Sequence, residues 1–292
     1  MRALPVAVFG VLVGWGVGRW AAPQLLAALS SSSLSRVNYR KRVLVAGLGL
    51  VLPLGLLAWV APLALAGRLD WRRAVQADVA LTGPGIAVAV AALAFGLLGL
   101  LDDLVEDAGS RGSRGFRGHL RALAAGRLTG GGAKLVGGVL AALLVASLAV
   151  EERPWYLVLV AAVVVASAAN VANLFDLRPG RCAKVFLPLW VVGCLLDPTA
   201  GAWSAGLAGA TLAALPIDLR EEGMLGDCGA NALGAVVGTL LVTGPTWLLW
   251  SAAAVLVVLQ AASERISFTR VIERNRWLRA VDGLGRRRDE VG

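Results

Sequence analysis

Long runs of apolar residues, broken by short polar or charged segments, dominate the chain. About 20 apolar residues span the hydrocarbon core of a bilayer, and nine segments qualify or come close: Leu4–Leu29, Val43–Ala66, Val79–Leu101, Ala133–Val150, Trp155–Val171, Ala183–Leu196, Ala202–Ile217, Ala230–Val242 and Thr246–Ala262. The sixth and eighth are short. Gly244-Pro245 must separate the last two, because the apolar stretch is too long for one span and proline ends helices. The pattern predicts an all-α polytopic membrane protein with about nine transmembrane helices. The first run is too long for a signal-peptide core and reads as a span.

Composition agrees: 58% of the 292 residues are hydrophobic and 16% charged, against about a quarter charged in soluble domains. The formal charge of +9 would suggest nucleic acid in a soluble protein, but in a membrane protein the placement of the basic residues matters more. With the loops assigned alternately to two sides, one side receives 22 of the 28 Lys and Arg residues, Lys134 at the entrance of the fourth span included. The positive-inside rule makes that side cytoplasmic, with the amino terminus outside and the carboxyl terminus inside. The Arg set Arg111, Arg114, Arg117, Arg121 and Arg127 is explained mainly by this orientation and by anionic lipid. Cys182, Cys194 and Cys228 are widely spaced and form no CxxC pair, and His119 is the sole histidine. These exclude a disulfide framework, a structural zinc site and any multi-histidine centre.

Ser30–Ser33 and Gly130–Gly132 read as flexible connections. The chain divides into a membrane domain, residues 1–262, and a basic tail, residues 263–292. In the tail Ile266, Val271, Ile272, Leu278, Val281 and Leu284 recur at near-helical spacing. An amphipathic helix on the membrane face and a solvated tail both accommodate them.

The candidate chemistry lies where apolar runs stop. Asp102 and Asp103 close the uncharged run from Val79, and carboxylates at a hydrocarbon edge are costly unless a cation or a reaction needs them. Parity brings the third and fifth spans out on the same side, delivering Asp102 and Asp103, then Asn170, Asn173 and Asp176, while the eighth begins there after Gly226-Asp227-Cys228-Gly229. Four carboxylates and two amides from three spans thus share one face. Gathered together, such oxygens would suit Mg2+, which takes carboxylate, water and phosphate oxygens. The plain alternative for the amides is hydrogen bonding between helices. Lys134, after three glycines, could pair with a substrate phosphate or mark the interface.

Four segments in order, Leu97-Leu98-Gly99-Leu100-Leu101-Asp102-Asp103, Gly132-Ala133-Lys134-Leu135, Asn170-Val171-Ala172-Asn173-Leu174-Phe175-Asp176 and Gly226-Asp227-Cys228-Gly229-Ala230, resemble the polyprenyl-phosphate N-acetylhexosamine-1-phosphate transferases. That family includes the phospho-N-acetylmuramoyl-pentapeptide and undecaprenyl-phosphate GlcNAc-1-phosphate transferases of cell-envelope and peptidoglycan synthesis. The resemblance implies Mg2+-dependent transfer of a sugar-1-phosphate from a UDP-sugar donor to a polyprenyl phosphate acceptor, releasing UMP, at the cytoplasmic face of the bacterial inner membrane. It implies paired catalytic carboxylates at Asp102 and Asp103, Mg2+ on Asp227 and Asp103, and substrate contacts from Lys134, Asn170, Asn173 and Asp176. It is compatible with a homodimer and gives no role to nucleic acid.

The sequence also departs from the family pattern. Leu177-Arg178-Pro179-Gly180 stands where a Gly-x-Asp-Gly run is usual, a His-rich motif before the last span is missing, and the early loop offers only Asn38–Arg42. A non-catalytic scaffold or regulator is therefore the alternative class. A prenyltransferase reading of Asp102–Asp107 lacks the second aspartate-rich motif it should carry. A transporter would more typically hold its ionisable groups at mid-membrane.

Overall fold

In the computed structural model the described residues are 3–68, 82–105, 130–150 and 152–287. The protein is an all-α polytopic membrane protein with eleven α-helices and one short hairpin among these residues. The helices are α1 (Ala3–Leu29), α2 (Val51–Arg68), α3 (Gly83–Val105), α4 (Gly130–Ala149), α5 (Trp155–Phe175), α6 (Arg181–Leu196), α7 (Pro198–Leu219), α8 (Gly226–Val242), α9 (Thr246–Ser263), α10 (Phe268–Arg274) and α11 (Arg276–Gly283). Each of the nine apolar segments overlaps one of α1–α9. Seven of these are long and apolar enough to cross a membrane, and α6 and α8 are the two short ones.

Proline sets many of the boundaries, because it fits a first turn but removes an interior donor. Pro154 and Pro245 immediately precede α5 and α9, and Pro198 opens α7. The Asp197 side chain caps α7 by accepting from the Thr199 and Ala200 amides at 3.0 and 2.9 Å. As expected, Gly244-Pro245 divides α8 from α9.

Two expectations are corrected. The second helix starts at Val51, not Val43: residues 43–45 form strand β2, paired antiparallel with β1 (Ser35–Val37), and a 3-10 turn at Leu48–Leu50 follows. The apolar count cannot separate these, since Val43-Leu44-Val45 suits a strand as well as a helix. Gly130–Gly132 are not a loose connection; they form the first turn of α4. The Arg set 111–127, His119 and the start of the third run, residues 79–81, lie outside the described residues.

Small residues allow the helices to approach. Gly10, Gly14 and Gly18 put one bare stripe of α1 against Ala205, Gly206 and Ala213 of α7, with no room for a Cβ at any of the three. Such stripes let helices pack by van der Waals contact where lipid removes the hydrophobic drive. Helices α7 and α8 are almost wholly buried at the centre of the bundle, whereas α9 presents Trp247, Trp250, Val255 and Val258 outward. α8 packs between α3 and α5, and that sandwich positions the candidate site.

Candidate active site

Asp102 and Asp103 occupy the last turn of α3, and consecutive helical residues point about 100° apart. They therefore serve different neighbours. The Asp103 carboxylate is buried and accepts the backbone N–H groups of Asp227 and Cys228 at 3.2 and 3.1 Å. These belong to the first turn of α8, whose own N-cap residue, Leu225, has no side chain able to cap. Asp103 thus caps a helix across the bundle, its negative charge facing the positive end of the α8 dipole. Arg36 of β1 donates to the Asp103 backbone carbonyl, one of the acceptors that a helix end leaves unpaired.

Asp102 points to α4. The Lys134 ammonium lies 2.5 Å from Asp102 Oδ2 and 2.8 Å from Asp227 Oδ2, and Asn173 Nδ2 donates to the same Asp227 oxygen at 2.9 Å. Four helices, α3, α4, α5 and α8, thereby place Asp102, Lys134, Asn173 and Asp227 in one hydrogen-bonded cluster. All three ion-pair side chains keep between a quarter and a third of their surface exposed, so a ligand from solvent can reach them.

Close approach of α3 and α8 makes this possible. A Cβ on Gly99 would lie 2.7 Å from Cys228 N and nearer still to the Asp227 carbonyl. Gly226 turns the chain into α8 with φ of +69°, in the left-handed region that side chains avoid. Backbone bonds from Leu48 N to Met224 O (3.1 Å), Gly49 N to Leu225 O (3.0 Å) and Met224 N to Val45 O (2.8 Å) brace that entry from the early loop.

The other expected residues fall to either side. Asp176 ends α5 beside a second acidic group: Asp218 accepts the Gly180 amide at 2.7 Å. Burial, followed by the charges of Asp218, Asp227 and Asp103, pushes the Asp176 carboxyl well above the usual carboxylate range. A cavity of about 30 Å³ here is lined by Asn38, Tyr39, Asp176, Arg178, Asp218 and Glu221. Asn170 is exposed and does not join the cluster; it lines a cavity of about 500 Å³ with Lys134, Asn231, Gln260, Phe95 and Val139. That cavity carries two charged side chains, Lys134 and Glu264, and otherwise largely apolar walls.

Several contributors were not singled out from the sequence. Glu221, buried and with φ of +55°, accepts from Asn38 Nδ2 at 2.8 Å and pairs with Arg40 at 3.2 Å. The Arg178 guanidinium lies 4.1 Å above the Tyr39 ring. Arg36, Asn38 and Glu221 carry no motif of their own. The one available signal was that all three sit in loops assigned to the same side as the carboxylates.

Among the described residues no three His, Cys, Asp or Glu side chains form a ready metal-holding group. Instead Asp102 and Asp227 converge on a single positive charge, the Lys134 ammonium. Hard carboxylate oxygens already directed at one cation are a donor set that Mg2+ accepts.

The profile of the family described as Glycosyl transferase family 4 matches residues 85–245, over half of the chain, a range within which the seven expected site residues fall. The protein belongs to this family of polyprenyl-phosphate sugar-1-phosphate transferases. Its class is thus a membrane-embedded sugar-phosphate transferase acting on a polyprenyl phosphate carrier. No curated protein sequence matches the chain closely enough to add a relative.

Proposed function

We propose that the protein transfers a sugar-1-phosphate from a UDP-sugar to a polyprenyl phosphate and releases UMP, with Mg2+ bound, at the cytoplasmic face of the membrane. The observation that carries this reading is the convergence of Asp102, Lys134, Asn173 and Asp227 beside a cavity that is polar at that end and apolar along its walls.

The family is one of sugar-phosphate transfer to a polyprenyl carrier. In the proposed reaction an oxygen of the lipid phosphate attacks the sugar-bearing phosphorus of the donor diphosphate. The bond from that phosphorus to the bridging oxygen breaks, the electron pair leaves with UMP, and a lipid-linked diphosphate sugar forms. A lipid phosphate is already ionised at neutral pH, so positioning and charge stabilisation carry most of the catalysis. Mg2+, when bound, supplies charge neutralisation on the phosphoryl oxygens; Asp227 and Asp102 would hold it.

The remaining roles follow from the geometry. Asp103, expected as a metal ligand, spends its carboxylate on the α8 amides, so we assign it to positioning Asp227. Lys134, at the mouth of the larger cavity, would move from the carboxylates to a phosphate oxygen when the cation and substrate arrive. Asn173 orients Asp227. Asp176, at the smaller cavity, would contact the nucleotide, and Asn170, on the wall of the larger one, the acceptor.

The test is UMP release by purified protein in vesicles containing undecaprenyl phosphate, across a panel of UDP-sugars. Release should require Mg2+, stop with EDTA and resume when Mg2+ is restored. Folded protein that turns over no donor in the panel would overturn the proposal in favour of a scaffold role.

A further inference from the structure

After α9 ends at Ser263, the chain crosses the ends of three helices. Phe268 stacks on Phe175 at the end of α5, with centroids 5.5 Å apart. Asp282 of α11 pairs twice with Arg181 at the start of α6, at 2.8 and 2.9 Å, and both side chains are almost buried. Arg286 bonds the same carboxylate and also the Pro179 carbonyl, at 2.9 Å, in the turn that follows Asp176. Gly285 lies against Leu219 at the end of α7.

The opposite side of this strap is open. Asn275 caps α11 by accepting from the Trp277 and Leu278 amides at 3.0 and 3.1 Å. Trp277, Leu278, Val281 and Leu284 then form one exposed apolar stripe, and Asp282 alone on the helix turns inward. Residues 264–287 carry seven Arg against three acidic groups. The strap starts four residues beyond a membrane-crossing helix, so it lies at the level where headgroups begin.

We propose that α10 and α11 bind the anionic lipid surface of the membrane the protein spans, with the Trp277–Leu284 stripe sunk into the headgroup boundary and the exposed Arg270, Arg274 and Arg276 paired with lipid phosphates. An apolar stripe of this kind inserts about 5–10 Å, and each nearby basic residue adds electrostatic attraction to an anionic leaflet. Asp282 ties this lipid-bound face to Arg181 and the Asp176–Gly180 turn, so the bilayer becomes a support for one wall of the smaller cavity. The inference does not depend on the transfer chemistry.

The test places a nitroxide on Trp277→Cys in full-length protein, with Cys194→Ser as background because Cys182 and Cys228 are buried. A second label on Arg279→Cys reports the opposite side of α11. In vesicles containing phosphatidylglycerol, collisions at 277 should favour oxygen over a water-soluble nickel complex, with the reverse preference at 279. The bias at 277 should shrink in purely zwitterionic vesicles. Equal water accessibility at both sites, the same bias in both vesicle types, or spin–spin broadening from a second copy covering the stripe would each overturn the proposal.

Discussion

Replacing Gly99 with alanine tests how tightly the site depends on the approach of α3 to α8. The added Cβ would sit 2.7 Å from Cys228 N, against an ordinary contact of 3.4 Å, and closer still to the Asp227 carbonyl. Both obstacles are backbone, so no rotamer change relieves them. The helices must part by about 0.7 Å or more, and overpacking on this scale costs about 1–3 kcal/mol. The displaced amides are those that Asp103 caps at 3.2 and 3.1 Å. Asp227 moves with them, away from Lys134 and Asn173. Misplacing reacting groups by about 1 Å costs about 100-fold in rate, so UMP release by Gly99→Ala should fall by about that factor while the protein still folds. Gly96→Ala is the matched control: it also faces α8, but its nearest contact would be an unstrained 3.6 Å to Ala232 Cβ. It should retain near-native turnover. Full activity in Gly99→Ala, or an equal loss in both variants, would refute the account.

Three further outcomes follow from the same geometry. Lys134→Met leaves Asp102 and Asp227 facing each other without their shared cation; the free energy of unfolding should drop by about 1–3 kcal/mol for a partly exposed pair, seen as a lower midpoint of thermal unfolding. Added Mg2+ should then stabilise this variant more than the wild type, and an identical Mg2+ response would count against a shared cation position. Asp227→Asn should abolish transfer with folding intact, whereas Asp103→Asn should lower both transfer and stability, the latter by about 1–2 kcal/mol, because an NH2 group replaces one of the two accepting oxygens and leaves a buried α8 amide unpaired. Transfer that persists in both would remove the carboxylates from the mechanism. The strap should also respond to acid. Burial raises the Asp282 carboxyl, but hydrogen bonds and charges from Arg181 and Arg286 outweigh it and hold the group below the usual carboxylate range. Its stabilisation is therefore complete above the unfolded-state value and is lost only as pH falls through the depressed one. Hydrogen exchange of α11 should rise in that acidic window in the wild type and be elevated at all pH values in Asp282→Asn, which leaves Arg181 buried without its charge partner.

The apolar runs alone determined the class of the protein and the nine helices, because a membrane span must be apolar over a fixed length. Parity also brought Asp102, Asp103, Asn173, Asp176 and Asp227 to one end, since alternating helices deliver their ends alternately. What parity could not supply was the division of labour. Asp102 and Asp103 are neighbours in sequence, yet one reaches Lys134 and the other caps α8, and only the rotation of α3 against its partners decides which. The structure likewise turned Val43–Val45 into a strand and set Asn170 apart from Asn173, because hydrogen bonding in the hairpin and the facing of α5 are tertiary matters. Glu221, Asp218 and the Asp282–Arg181 pair were illegible because nothing in their local sequence differs from a solvated loop or tail. Their roles exist only where separate ends of the bundle meet. Gly99 joins the two levels: in the sequence it is one glycine among 36, and in the fold it is the position where a single methyl group would separate the helices that hold the site.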